Sequence, residues 1–334
     1  MNIIQWKNDL IAAEKKHAIP VLSFPCIQLL GITVNELISD SDRQAQGMKA
    51  VADRCATAAS VSMMDLSVEA EAFGSEIRVI GDEVPTVVGS IINEPEDADK
   101  LAVPEVGAGR TGLYIEAISK AASLITDRPV FAGVIGPYSL AGRLMGMSEI
   151  MFNCFDEPEM VHTTLEKVTD FIIGYIKAYK TTGAAGIVIA EPAVGLLSAS
   201  MASEFATPYM KRIVGEVQDE SFGVIYHNCG SSTPQMTDEL ASIGAVGYHF
   251  GDAVDMAEIC EKMPKDVLVM GNVSPAKTLR TGTPELVREQ TLSVMNACYR
   301  HPNFVISSGC DIPPASPWEN IDAFFAAVEE FYGK

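Results

Sequence analysis

Basic residues are scarce in this chain: Lys and Arg number 24 against 44 Asp and Glu over 334 residues, a formal charge of −20. Nowhere do the cations cluster. A nucleic-acid partner is therefore not expected, because phosphate backbones are bound by grouped Lys and Arg that displace counterions. Long hydrophobic runs are missing as well, and nothing approaches the roughly 18 apolar residues of a membrane span. The opening Met1-Asn2-Ile3-Ile4-Gln5-Trp6-Lys7 lacks the charged-then-apolar pattern of a signal peptide. Cysteines are seven, an odd number scattered over the chain, which excludes a disulfide framework and points to a reducing compartment. The expectation is a cytoplasmic protein with no membrane partner. No G-x-G-x-x-G follows an early strand, which counts against an open dinucleotide-binding sheet.

What the chain does have is regular alternation of short apolar runs with helical stretches. At 48% apolar residues it has ample material for a large core. Residues 19–24 and 60–65 read as the first two strands, with one long helical stretch over 34–59 between them and Asp40 and Asp42 near a possible cap. Further strands are expected at 129–135, 186–190, 224–229, 245–249, 267–272 and 305–310. Helices are expected at 111–124, 157–180, 200–218, 255–263, 283–300 and 319–332. Residues 75–110 break the alternation with a hairpin and a Pro-rich acidic connection, the mark of an insertion. Eight continuous apolar strands separated by helices suit a parallel sheet covered on both faces. The fold class predicted is α/β: a (β/α)8 TIM barrel over residues 1–334 as a single domain, with an N-terminal insertion at about 75–110. Chemistry then belongs at the C-terminal strand ends, occupied by Phe24, Asp65, Tyr138, Glu191, His227, Cys229, His249, Asn272 and Cys310.

Two of those ends carry soft ligands. In Val224-Ile225-Tyr226-His227-Asn228-Cys229-Gly230 the His and the first Cys are two apart, so an extended backbone points both the same way. Cys310, closing Val305-Ile306-Ser307-Ser308-Gly309, supplies a third ligand from a distant strand. One imidazole and two thiolates suit Zn²⁺, and three protein ligands leave the fourth tetrahedral position open, as in catalytic sites. Buried cysteine more commonly serves as a small hydrophobe, and Cys26, Cys55, Cys154, Cys260 and Cys298 are read that way.

Several stretches together carry a family resemblance: Gly133-Val134-Ile135-Gly136-Pro137-Tyr138-Ser139-Leu140-Ala141, Glu191-Pro192, Pro208-Tyr209, the H-N-C-G run, Gly271-Asn272-Val273-Ser274-Pro275 and Gly309-Cys310-Asp311-Ile312-Pro313. They resemble the uroporphyrinogen decarboxylase superfamily, and within it the zinc-dependent methylcobamide methyltransferases. The likeness is strong from about residue 125 onward and loose before it. It implies a methyltransferase that moves a methyl group from a methylcorrinoid to a small thiol such as coenzyme M. It also places His227, Cys229 and Cys310 on that branch's H-x-C…C zinc motif. Decarboxylases of the superfamily carry an R-Q-A-G-R stretch after the first strand, which grips substrate carboxylates. Here that place is taken by Pro25-Cys26-Ile27-Gln28-Leu29-Leu30-Gly31, with no cation. A uroporphyrinogen decarboxylase reading lacks its charge-assisted clamp. No D-x-H-x-x-G is present to offer a histidine to cobalt, so a separate corrinoid protein is the expected partner.

Alternatives stay open within this frame. The acceptor could be tetrahydrofolate, transfer could run from a small methyl donor toward cobalt, or the chain could bind zinc without catalysis. Glu191 has three readings: a fourth metal ligand, a substrate-orienting carboxylate, or the cap of the following helix. Asn272 is read as positioning a loop or ligand, Tyr138 as lining the mouth. His249 is read as a core histidine eligible for substrate contact, and Asp65 as a ligand contact or loop holder.

Overall fold

The computed structural model describes residues 1–333. Its centre is a curled sheet of parallel strands: β1 (Ser60–Val61), then, after a separate antiparallel hairpin of β2 (Glu76–Arg78) and β3 (Thr86–Val88), β4 (Val130–Ile135), β5 (Gly186–Ala190), β6 (Gly223–Asn228), β7 (Gly247–Phe250), β8 (Leu268–Val273) and β9 (Phe304–Ser308). The sheet order is β1-β4-β5-β6-β7-β8-β9, so each successive strand adds to the edge left by the last. Every residue of β5, β6, β8 and β9 is buried, as strands covered on both faces must be.

Among the described residues seven strands, not eight, form the ladder. Residues 19–24, expected as the first strand, close the gap between β9 and β1 with sparse bonds instead. The Ile19 amide donates to Ile306 O at 3.1 Å, the Ala58 amide to Ala18 O at 3.0 Å, and the Val21 amide to the Ser308 hydroxyl at 3.0 Å. Pro20 sits in the middle of this stave and has no N–H to give to a ladder. The second strand is shorter than expected: only Ser60 and Val61 pair, with Val130 and Phe131. The result is a (β/α)8 barrel-like fold whose first stave, residues 19–24, is irregular.

Alternation sorts the strand residues into two apolar sets. Val188, Ala190, Ile225, Leu268, Met270 and Val305 join Ile3, Leu10, Val21 and Phe131 inside the barrel, with helix Ile3–Ala12 contributing at the barrel's base through Trp6 against Phe131, ring centroids 5.7 Å apart. Ile187, Ile189, Val224, Tyr226, Val269 and Ile306 face the surrounding helices. By the same period of two, His227, His249, Asn272 and Ser307 continue the inward rows.

Two helices break where sequence periodicity ran on. The stretch 34–59 divides into Val34–Ile38 and Ser41–Arg54, because Asp40 turns its carboxylate onto the amides of Asp42 (2.8 Å) and Arg43 (3.1 Å) and caps the second piece. The stretch 200–218 divides into Ala199–Phe205 and Thr207–Val217, with Pro208 in the first turn of the second helix. No helix among the described residues is long and apolar enough to cross a membrane.

Candidate metal centre

His227, Cys229 and Cys310 come together at the C-terminal end of the barrel, their ligand atoms all within 4.8 Å of one another. His227 Nε2 lies 3.4 Å from Cys310 Sγ. The imidazole is buried and both thiols are partly exposed. Each thiol feels the other: the bond from Cys229 to Cys310, with burial behind it, pushes the Cys229 thiol up to about 12, and the same bond holds Cys310 below its ordinary value. Among the described residues no other group of three such side chains could hold a metal ion. Two thiols and one imidazole with a free ring nitrogen are a donor set that Zn²⁺ fits.

The backbone around Cys229 is held by close approach at glycine. A Cβ at Gly230 would collide with the Gly195 backbone, so the loops after β5 and β6 touch main chain to main chain. A Cβ at Gly251 would lie 2.5 Å from Cys229 Cβ. Asn272 then fixes the Gly251 loop from β8, its amide donating to Gly251 O at 2.9 Å and Val254 O at 2.8 Å. Of the readings open for Asn272, holding a loop is the one its bonds display.

Glu191 is brought to the same end of the barrel but faces away from the three ligands. Ala190 points inward, so its successor turns toward the helix layer. There its carboxylate accepts from the Tyr138 amide at 2.9 Å, the Ser139 amide at 2.9 Å and the Ser139 hydroxyl at 2.6 Å. It satisfies the N-terminal amides of helix Pro137–Met145 from outside that helix. Burial nevertheless pushes it up to about 7, the three bonds working against that rise. Tyr138 is fully buried, and its hydroxyl lies 3.7 Å from Cys154 Sγ in helix Glu149–Asp156. Asp65 holds a loop: it accepts from Arg110, from Tyr114 (2.9 Å) and from the Ser67 amide (3.1 Å) and hydroxyl (2.5 Å).

Sequence reasoning missed Ser307 and Arg110. Ser307 stands opposite Asn272 in the β8–β9 register, buried, and its hydroxyl bonds both His249 Nε2 and Ile19 O at 2.7 Å. A signal was available, since two hydroxyls closing a fully buried strand need partners. His249 is the neighbour of His227 in the β6–β7 register, and its Nδ1 lies 2.7 Å from His227 Nδ1. Burial first, then the neighbouring His227, holds its imidazole well below the ordinary value, so it stays neutral.

Residues 20–331 match the family model for uroporphyrinogen decarboxylase (URO-D). The chain belongs to the uroporphyrinogen decarboxylase family. Among curated relatives in and around this family, the methylcobamide:CoM methyltransferase MtbA of Methanosarcina acetivorans is 29% identical over 273 residues, covering 80% of this chain and 78% of that one. The methylated-thiol–coenzyme M methyltransferase of Methanosarcina mazei is 26% identical over 297 residues, covering 87% and 77%. A solved methyltransferase from Methanosarcina mazei superposes with a TM-score of 0.86 at 24% identity, over 97% of this chain and 96% of that chain, which establishes the shared fold. The stretch after residues 19–24 forms a short helix. Helix Cys26–Leu30 offers no cation there, and the Gln28 amide is spent on Pro314 O and Ser316 O, each at 2.8 Å.

Proposed function

We propose that this chain is a zinc-dependent methyltransferase that moves a methyl group from a methylcorrinoid, carried by a separate protein, to a small thiol such as coenzyme M. The observation that supports this reading is the His227, Cys229 and Cys310 cluster at the open end of the barrel, in a chain whose relatives include methylcobamide:CoM methyltransferases. His227 through Nε2 and the two sulfurs would hold Zn²⁺. When bound, the metal supplies the means for a substrate thiol to lose its proton at neutral pH. The chain's own residues do the rest. Asn272 fixes the Gly251 loop, and Gly251 in turn limits where Cys229 can stand. Glu191, engaged on the start of helix Pro137–Met145, keeps the wall of the mouth in place rather than reaching the reacting atoms. Balance is simple: the thiol gives its proton to solvent, its sulfur attacks the methyl carbon, a C–S bond forms, and the Co–C bond breaks with its electron pair left on cobalt. Co(III) leaves as Co(I).

Decarboxylation of a porphyrinogen has no support in the residues after the first stave, where a polycarboxylate would need cations. The test is a transfer assay with free methylcobalamin against a panel of thiols and tetrahydrofolate, followed by the corrinoid absorbance. Loss of the methylcobalamin band with a thiol alone is expected. Turnover with tetrahydrofolate alone would replace the thiol with a pterin acceptor, and turnover with neither would leave the reverse direction or a binding role.

A further inference from the structure

The hydrogen bonds behind His227 leave little freedom in where protons sit. Ser307 Oγ lies 2.7 Å from Ile19 O, and a carbonyl can only accept, so the single hydroxyl proton of Ser307 lies between them. Ser307 Oγ also lies 2.7 Å from His249 Nε2 and has no second proton to give, so the ring nitrogen carries the hydrogen there. A neutral His249 protonated on Nε2 has a bare Nδ1. That atom is 2.7 Å from His227 Nδ1, which must then be the donor. His227 Nδ1 is also 3.2 Å from His249 O, a second acceptor for the same proton. A neutral His227 protonated on Nδ1 presents a bare Nε2, and that nitrogen is the one facing Cys310 Sγ.

We infer that Ser307 and His249 form a positioning relay that sets the tautomer of His227, anchored on the main-chain carbonyl of Ile19 in the irregular first stave. The inference rests on the metal-centre reading for its purpose but not for its geometry. An imidazole can bind a metal only through an unprotonated nitrogen, and partners behind a ligand commonly fix which nitrogen that is. The relay also explains why a neutral histidine is buried beside another. Two rings that each offer one donor and one acceptor nitrogen leave the direction of their shared bond open, and Ser307 behind His249 and the His249 carbonyl beside His227 Nδ1 fix it the same way. The choice is made from both sides by carbonyls that can only accept, Ile19 O behind Ser307 and His249 O beside His227 Nδ1. It ties the metal centre to barrel closure: the stave that seals β9 against β1 is the one whose carbonyl starts the chain of bonds.

The experiment uses the full chain, ¹⁵N-labelled and stripped of metal, with long-range proton–nitrogen correlation on its five imidazoles. In the unsubstituted protein His227 is expected as the Nδ1–H form with a pyridine-type Nε2, and His249 as the Nε2–H form. Ser307→Ala removes the anchor of the relay and leaves the 3.2 Å contact to His249 O as the remaining fixed acceptor, so a share of His227 shifts to the Nε2–H form, and zinc affinity, read by competition with a chromophoric chelator, falls about ten- to hundredfold. Ser307→Thr restores the hydroxyl and both readouts, which a role in packing alone would not require. His249→Phe keeps the buried ring, removes the relay and lowers affinity to a similar extent. The inference is overturned by a His227 that carries its proton on Nε2 in the unsubstituted metal-free chain, or by variants that fold and bind zinc as the parent does. A chain that binds no zinc at all would sink the proposed metal chemistry, and the proton positions in the metal-free protein would still decide the relay.

Discussion

His227 and Cys229 were legible as a pair because a strand repeats every two residues, and that same rule explains what was not legible. Glu191 ends a strand just as His227 nearly does, yet it follows the inward Ala190 and so belongs to the helix side. A carboxylate at a strand end carries no local sign of which side it serves until the strand's phase is known. Cys310 lies beyond the end of β9 and is placed by its loop, so its arrival beside His227 was readable from family likeness more than from periodicity. The distinction between ligand and packing cysteines gives a direct prediction. Cys310→Ala should lower zinc occupancy and abolish methyl transfer while the protein still unfolds cooperatively, because a metal at the mouth of so large a barrel contributes little to folding. Cys298→Ala, at a fully buried free thiol, should cost about 1 to 2 kcal/mol and leave zinc content unchanged. Metal analysis with circular dichroism on both separates the cases. Full zinc occupancy in Cys310→Ala would remove that residue from the centre.

Segments between the strands were read well where the pattern was strong and missed where a side chain overruled it. Helix Pro158–Lys180 and helix Trp318–Gly333 fall close to their expected bounds. The long helix expected at 34–59 did not, and Asp40 is the reason: its carboxylate supplies what two amides at a helix start would otherwise lack. The apolar periodicity on either side of that break keeps nearly the same phase, so nothing in the hydrophobic pattern marks it. Pro20 has a comparable effect on the first stave, where apolar composition promised a ladder strand that an imino acid cannot complete. The cap can be tested alone. Asp40→Ala should destabilise the chain by about 1 kcal/mol in urea unfolding, the usual cost of removing an N-cap. Zinc content should not move. A loss within a few tenths would mean that water serves those amides as well as the carboxylate does.

Charge across the molecule runs strongly negative, and one acidic group within it is held against its preference. Glu69 follows β1 and is buried; one carboxylate oxygen accepts from the Ile135 amide at 3.1 Å, and the other has no partner among the described residues. Burial pushes it up to about 8, with nearby Asp65 adding to the rise while the Ile135 amide opposes it. An unfolded chain releases this proton near the ordinary 4.5, so the folded chain holds a proton that the unfolded one has lost over the interval up to about 8. The stability tied to that proton is fully present below pH 4.5 and is lost as pH rises toward 8. Other carboxylates ionise over part of the same range and add self-repulsion to a chain of formal charge −20, so the total pH dependence does not isolate Glu69. A difference between two proteins does. Glu69→Gln keeps an acceptor for the Ile135 amide and cannot ionise, so its stability relative to the parent should climb by on the order of 3 kcal/mol between pH 5 and pH 8. Urea unfolding of both proteins at half-unit steps of pH measures this. Two curves that stay parallel across that interval would show that Glu69 meets water or a cation in the folded chain and is already ionised there.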